Sequence, residues 1–220
     1  MVLISGEPLL WHIVERLRRS KEIDEIVIAT SIAKKDDVIT DYLTGKGVAC
    51  FRGNESDVLE RFWMAAKQHK ADNVVRICAD CPLIDPFEID KMVQLIKESG
   101  VDYVHNKHKK GTPFGTGGEV MTINALEKAH KNSSSNWHRE HVTTYIKDHP
   151  QIFKIVEYDA PAEKFDPVIR LVIDYEADLT LIREIYRNLY KKDAIIELEK
   201  VIKFLKENPD LRSSNFNYRE

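Results

Sequence analysis

The sequence predicts an α/β domain of three layers, in which a mostly parallel sheet is covered by helices on both faces. Two observations carry this. Helical stripes alternate with short apolar runs through the first hundred residues. The runs are β-branched and nearly continuous, as in Ile26-Val27-Ile28-Ala29 and Val74-Val75-Arg76-Ile77-Cys78, which suits strands buried on both faces. At 220 residues, with 43% hydrophobic and 31% charged, the chain suits one sizeable domain.

Residues 9–19 set Leu9, Leu10, Ile13, Val14 and Leu17 on one helical stripe, with Pro8 suited to the first turn. A strand follows at 23–29, then a helix at 35–43 ending at Gly45 or Gly47, and a short strand at 48–51. The helix after Asn54 groups Val58, Leu59, Phe62 and Ala65 or Ala66; residues 73–78 form the next strand and 87–97 the next helix. From Val101 the pattern loosens. Strands are expected at 101–104 and 119–123, separated by a Lys- and Gly-rich loop over 107–118. A helix at 124–130 leads to Lys131-Asn132-Ser133-Ser134-Ser135, a linker-like stretch too short to separate domains. A helix at 138–147 ends before Pro150, strands follow at 152–158 and 168–173, and helices at 178–190 and 194–206 close the fold. The domain therefore spans 1–207, with a polar tail at 208–220 that is expected to fray.

A doubly wound domain normally opens with a strand whose following turn binds phosphate. Only residues 1–4 precede Gly6-Glu7-Pro8 here, with no glycine-rich, Lys-bearing loop, so the opening strand–helix unit is expected to be cut short, exposing neighbouring strand edges.

A formal net charge of -3 gives no electrostatic case for nucleic acid or an anionic membrane as partner. No apolar run reaches the ~20 residues of a membrane helix, and no secretory leader pattern opens the chain, so a cytoplasmic location is expected. Cys78 and Cys81 have CxxC spacing. A structural zinc site would need a second ligand pair, and a redox motif should open a helix, whereas Pro82 and Asp85-Pro86 make a turn. The spacing is read as coincidence.

Asp80 and Asp174 each follow a strand, at the carboxyl ends where ligands bind in such sheets. Two carboxylates arriving there suit Mg²⁺ held together with substrate phosphates. The alternative is that each is a turn or cap residue. Trp137-His138-Arg139-Glu140-His141 has the spacing H-x-E-H, which differs from the metalloprotease motif.

The run Asn73-Val74-Val75-Arg76-Ile77-Cys78-Ala79-Asp80-Cys81-Pro82-Leu83-Ile84-Asp85-Pro86 resembles the signature of the cytidylyltransferases. Gly6-Glu7-Pro8-Leu9-Leu10, residues 51–61, Arg139-Glu140-His141-Val142-Thr143 and Leu171-Val172-Ile173-Asp174-Tyr175 are similar to further blocks of that family, in order along nearly the whole chain. The family includes CMP-sialic acid and CMP-Kdo synthetases and the spore-coat polysaccharide branch, to which this chain is most similar. The resemblance implies a Rossmann-like, glycosyltransferase-A-like nucleotidyltransferase and a reaction between CTP and a sugar acid that releases pyrophosphate. It implies Mg²⁺ on Asp80 and Asp174, Arg76 beside the nucleotide, and Asp57 and Arg61 bordering its base or ribose. Glu119 would touch the sugar, Arg139, Glu140 and His141 would face the sugar or a subunit contact, and a homodimer would form. For Arg76 the competing reading is a strand-edge surface residue, for Arg61 an i,i+4 partner of Asp57, and for His141 a satisfied, partly buried histidine. His105 and His108 are expected to be exposed.

Two departures bear on activity. The family's loop rich in Arg, Gly, Ser and Lys does not precede Gly6, and Ala79 stands where the family commonly has Gly before its Asp. The chain as written is therefore expected to be impaired. The alternative function is a non-catalytic nucleotide- or partner-binding module on this fold.

Overall fold

Leu3–Ile4 (β1) and Glu7–Pro8 (β2) form an antiparallel hairpin whose turn residues, Ser5 and Gly6, both adopt positive φ, as the tight hairpin turn requires. The structure, a computed structural model, describes residues 1–106 and 111–216. Helix α1, Leu9–Leu17, starts directly after Pro8 and buries Ile13, Val14 and Leu17.

Two strands then pair in parallel around a crossover helix: β3 (Val27–Ser31), α2 (Asp37–Thr44) and β4 (Ala49–Gly53). Helix α3 (Val58–Gln68) leads to β5 (Asn73–Arg76), and α4 (Pro86–Ser99) to β6 (Tyr103–Asn106). Asp85 caps α4 with Pro86 at its first position, and Gly100 stops it in the left-handed conformation, a start and stop legible in the sequence. The remaining elements are β7 (Glu119–Thr122), α5 (Ile123–Asn132), α6 (Asn136–Glu140), α7 (Thr144–Asp148), β8 (Ile155–Tyr158), α8 (Glu176–Leu189), α9 (Leu198–Glu207) and α10 (Pro209–Ser213).

The larger sheet runs β5-β7-β6-β8. Its pairing is mixed rather than mostly parallel: β7 is antiparallel to both neighbours, and only β6 and β8 run parallel. No helix joins β6 to β7 among the described residues, and a strand that returns without a crossover must run back antiparallel. The β3–β4 pair is a separate two-stranded sheet. Among the described residues, β3 and β5 each have one edge that no strand pairs.

Four other expectations are corrected. Residues 168–173 form no strand; the segment is a strap with a single bridge, Phe114 to Arg170. Its backbone groups go to loops, with Phe114 N donating to Ile169 O, Leu171 N to Phe114 O and Ile173 N to Asp80 O. The helix expected at 138–147 breaks between α6 and α7. Val142, at φ 45°, turns the chain so that its side chain is fully buried against the cluster of Leu59, Met121 and Leu126. A β-branched residue at positive φ is costly, and burial holds it there. The segment after Asn208, expected to fray, forms α10 and buries Asn215 to 1% exposure. The last helix begins at Leu198 rather than 194, because the preceding residues stay extended and Ile196 O accepts a hydrogen bond from Arg16.

Gly115 shows how closely the strap is approached. At φ +91°, an added Cβ would lie 2.7 Å from Val172 N. Gly115→Ala is expected to destabilise by about 2 kcal/mol or more, read as a lowered urea midpoint, because both conformation and space oppose a methyl.

Candidate functional site

The strap brings together two ends of the chain's chemistry. After β5, residues 77–80 turn across the sheet's carboxyl edge, and the Asp80 carbonyl accepts a hydrogen bond from Ile173 N at 3.0 Å. Asp174 is the next residue along. Each carboxylate keeps one oxygen for a ligand. Asp80 Oδ1 accepts from Cys81 Sγ at 3.1 Å and Asp174 Oδ2 from Arg170, while neither remaining oxygen takes a hydrogen bond from the described residues. The Asp174 side chain is 48% exposed.

Cys78 registers this convergence. Burial pushes its thiol up first; the Arg76 guanidinium opposes, and the carboxylates of Asp80, Glu119 and Asp174 add to the rise. Cys81 is pushed well up by burial and by Asp80. Both are free, protonated thiols, which fits coincidental CxxC spacing.

Among the described residues no three His, Cys, Asp or Glu side chains gather to hold a metal. A pair of carboxylates suits Mg²⁺, which takes one or two of them and completes its shell with water and substrate phosphates. It does not suit zinc, which needs three or four nitrogen or sulfur donors.

Arg76 is not a free surface residue. It faces Glu119 across β5 and β7, with Nη1 2.5 Å from Glu119 Oε2. Glu119 is the hub of a buried network: Lys147 Nζ is 2.6 Å from Oε1, and Thr143 Oγ1 donates to the same oxygen at 2.9 Å, as does Tyr103 Oη. Burial alone would raise its carboxyl, but Lys147 and then Arg76 outweigh burial and hold it down at about 2. Both Glu119 oxygens are thus engaged by protein, whereas Nε and Nη2 of Arg76 donate no hydrogen bond to the described residues. Burial and the Glu119 charge push the hydroxyl of Tyr103 far up.

Arg61 pins the loop after β4. Nε donates to Ala29 O at 3.2 Å, and Nη1 to the carbonyls of Asn54 and Glu55 at 2.5 and 3.2 Å. Its partner is therefore backbone, not Asp57. Asp57 caps α3 by accepting from Glu60 N at 2.9 Å and pairs with Arg139 Nη1 at 3.3 Å. The second half of the chain thereby closes on the β4–α3 loop. Glu140 is exposed, and His141 lies edge-on to Trp137, with ring centroids 3.7 Å apart. His105, expected to be exposed, is half-buried and donates from Nδ1 to Asn106 O at 3.0 Å; His108 lies outside the described residues.

Sequence reasoning missed Arg170, Asp178, Lys147 and Asn215. Arg170 and Asp178 stand four residues either side of Asp174, a spacing that signals helix-start chemistry. Lys147 and Asn215 carry no such signal, because only the fold brings them in.

A family model described as Cytidylyltransferase matches residues 1–209. The chain belongs to the cytidylyltransferase family. An uncharacterized Methanocaldococcus jannaschii protein is 39% identical over all of this chain and 88% of its own length. The spore coat polysaccharide biosynthesis protein SpsF of Bacillus subtilis is 32% identical, over 94% of this chain and 87% of its own. A solved cytidylyltransferase of Leptospira borgpetersenii superposes with TM-score 0.88 at 28% identity, covering 96% of this chain and 88% of that one. The mixed sheet flanked by helices is thus that of the nucleotidyltransferases, a Rossmann-like α/β fold. No helix among the described residues of this cytidylyltransferase is long and apolar enough to cross a membrane.

Proposed function

We propose that this cytidylyltransferase transfers CMP from CTP to a sugar acid in surface-polysaccharide synthesis, with Mg²⁺ held by Asp80 and Asp174. The hydrogen bond from Ile173 N to Asp80 O supports the reading, since it ties the backbone that carries Asp80 to the residue before Asp174. Asp80 and Asp174 would hold the Mg²⁺, which would supply positive charge against that developing as pyrophosphate leaves. Arg76, aimed by Glu119, presents its two remaining nitrogens to the α-phosphate as a sugar hydroxyl attacks in line. Asp57, Arg61 and the loop they hold border the base or ribose. Glu119 acts on the sugar side by fixing Lys147 and Tyr103. Arg139, Glu140 and His141 border the sugar, and Trp137, 60% exposed beside them, is the surface a second subunit would cover.

The second reading is a nucleotide-binding module without turnover. The polypeptide is expected to bind CTP with Mg²⁺ under either reading. Calorimetric titration with CTP, with and without Mg²⁺, tests the site; pyrophosphate release with Kdo or sialic acid tests turnover. Absence of Mg²⁺-dependent CTP binding would sink both readings of the site, and brisk turnover would remove the second.

A further inference from the structure

The environment of Asp174 continues inward to the far end of the chain. Its Oδ2 is gripped by Arg170, which is 7% exposed and lies over the rings of Phe114 and Tyr175 at 5.4 and 5.9 Å. Arg170 is in turn held by Asp178, at 3.2 Å from Nε and 3.4 Å from Nη2. Asp178 is fully buried, and its Oδ2 also accepts from the backbone N–H groups of Asp174 and Tyr175, at 3.1 and 3.0 Å. One buried carboxylate therefore fixes both the backbone that carries Asp174 and the guanidinium that grips its side chain.

That carboxylate and guanidinium are clamped by one more residue. Asn215, just beyond α10, donates from Nδ2 to Asp178 Oδ1 at 2.8 Å and to Arg170 O at 3.1 Å. It is 1% exposed, and Arg212 in α10 anchors the segment on Asp166 at 2.8 and 2.9 Å. Burial would raise the Asp178 carboxyl, and Asn215 first, then Arg170 and the two backbone N–H groups, bring it down instead.

We propose that Asn215 is a positioning residue for the metal site, locking Asp178 and Arg170 so that Asp174 presents its free oxygen to the cation. The inference rests on the reading that Asp80 and Asp174 hold that cation. A side chain 41 residues from Asp174 in sequence thereby sets divalent affinity without touching the metal or the nucleotide. Loss of the clamp leaves Asp178 its other partners, so the fold persists while the 174–175 turn loosens. One hydrogen bond to a charged group is worth up to roughly tenfold in affinity.

Mn²⁺ binding, followed by electron paramagnetic resonance of the free ion, reads this without requiring turnover. Asn215→Ala is expected to weaken Mn²⁺ three- to tenfold, and Asn215→Asp more, since it sets a second carboxylate against Asp178. Asn208→Ala is the control for general loosening of α10, because Asn208 donates only to Phe204 O. Asp174→Asn reports the underlying reading. If Asp174→Asn abolishes binding and Asn215→Ala leaves it unchanged, or if Asn208→Ala weakens it equally, the positioning role is overturned and the metal site stands. Undiminished binding in Asp174→Asn would overturn both. Thermal unfolding of each variant, with Mn²⁺ measured well below its midpoint, keeps a folding defect from passing as a positioning effect.

Discussion

Replacing Asp80 or Asp174 by Asn is expected to remove the Mg²⁺-dependent part of CTP binding, a loss of about 30- to 100-fold, or roughly 2–3 kcal/mol. A unit charge about 4 Å away contributes roughly 4 kcal/mol at an effective dielectric of 20, and water takes back part of it. The Asn side chains keep shape and backbone hydrogen bonds, so the Ile173 N to Asp80 O contact should survive in both. Since the proposal puts both carboxylates on one cation, the double variant is expected to be little worse than either single one. Calorimetry with CTP in Mg²⁺ and in chelator reads the difference directly. Two independent, additive losses would show that the residues serve separate tasks.

The second large effect is on stability. Glu119→Gln leaves the half-buried Arg76 and Lys147 beside a neutral amide; breaking a fully buried pair typically costs about 3–5 kcal/mol, and the water reaching these two cations sets the expected loss at about 2–3 kcal/mol. The sign of the pH dependence follows from the same contacts. In the fold this carboxyl sits at about 2, against an ordinary 4.5. Its stabilisation is complete above 4.5 and is lost as pH falls towards 2, a total of about 3 kcal/mol. Urea midpoints measured between pH 5 and 2 should fall more steeply for the wild type than for Glu119→Gln; parallel curves would show that Glu119 is not the group responsible.

These two sites differ in how far the sequence exposed them. Asp80 was legible as a carboxylate just past a strand, whereas Asp174 follows the strap rather than a strand, and only the Ile173 N to Asp80 O hydrogen bond of the fold brings that segment to Asp80. Glu119 was legible as a polar residue at a strand start, but not as a hub. Its partners come from β5, β6 and the segment around α7, and those pairings exist only once β7 inserts antiparallel between β5 and β6. The alternation of helices and strands through Ser99 follows local periodicity and is visible residue by residue. The break at Val142 is not, because the pull on that side chain comes from Leu59 and Met121, far away in sequence. Asn215 is the extreme case: a polar residue in a polar tail reads as solvent-exposed until Arg170 and Asp178 supply the reason for its burial.

The hairpin at residues 3–8 has a consequence for the order in which the polypeptide can be completed during synthesis. Ile4 is buried in one cluster with Leu171, Ile182, Leu198 and Val201, and Arg16 in α1 and Arg19 just beyond it donate to the carbonyls of Ile196 and Asp193. Helix α1 must therefore wait for α9, which leaves the ribosome about 10–40 s later at ordinary elongation rates. For that interval the apolar stripe of Leu9, Ile13 and Leu17 has only part of its final cover, and its protection falls to chaperones and to partial packing against α4. Closure of residues 4–19 on residues 193–202 is thus a late event, and it adds highly non-local contacts to the fold.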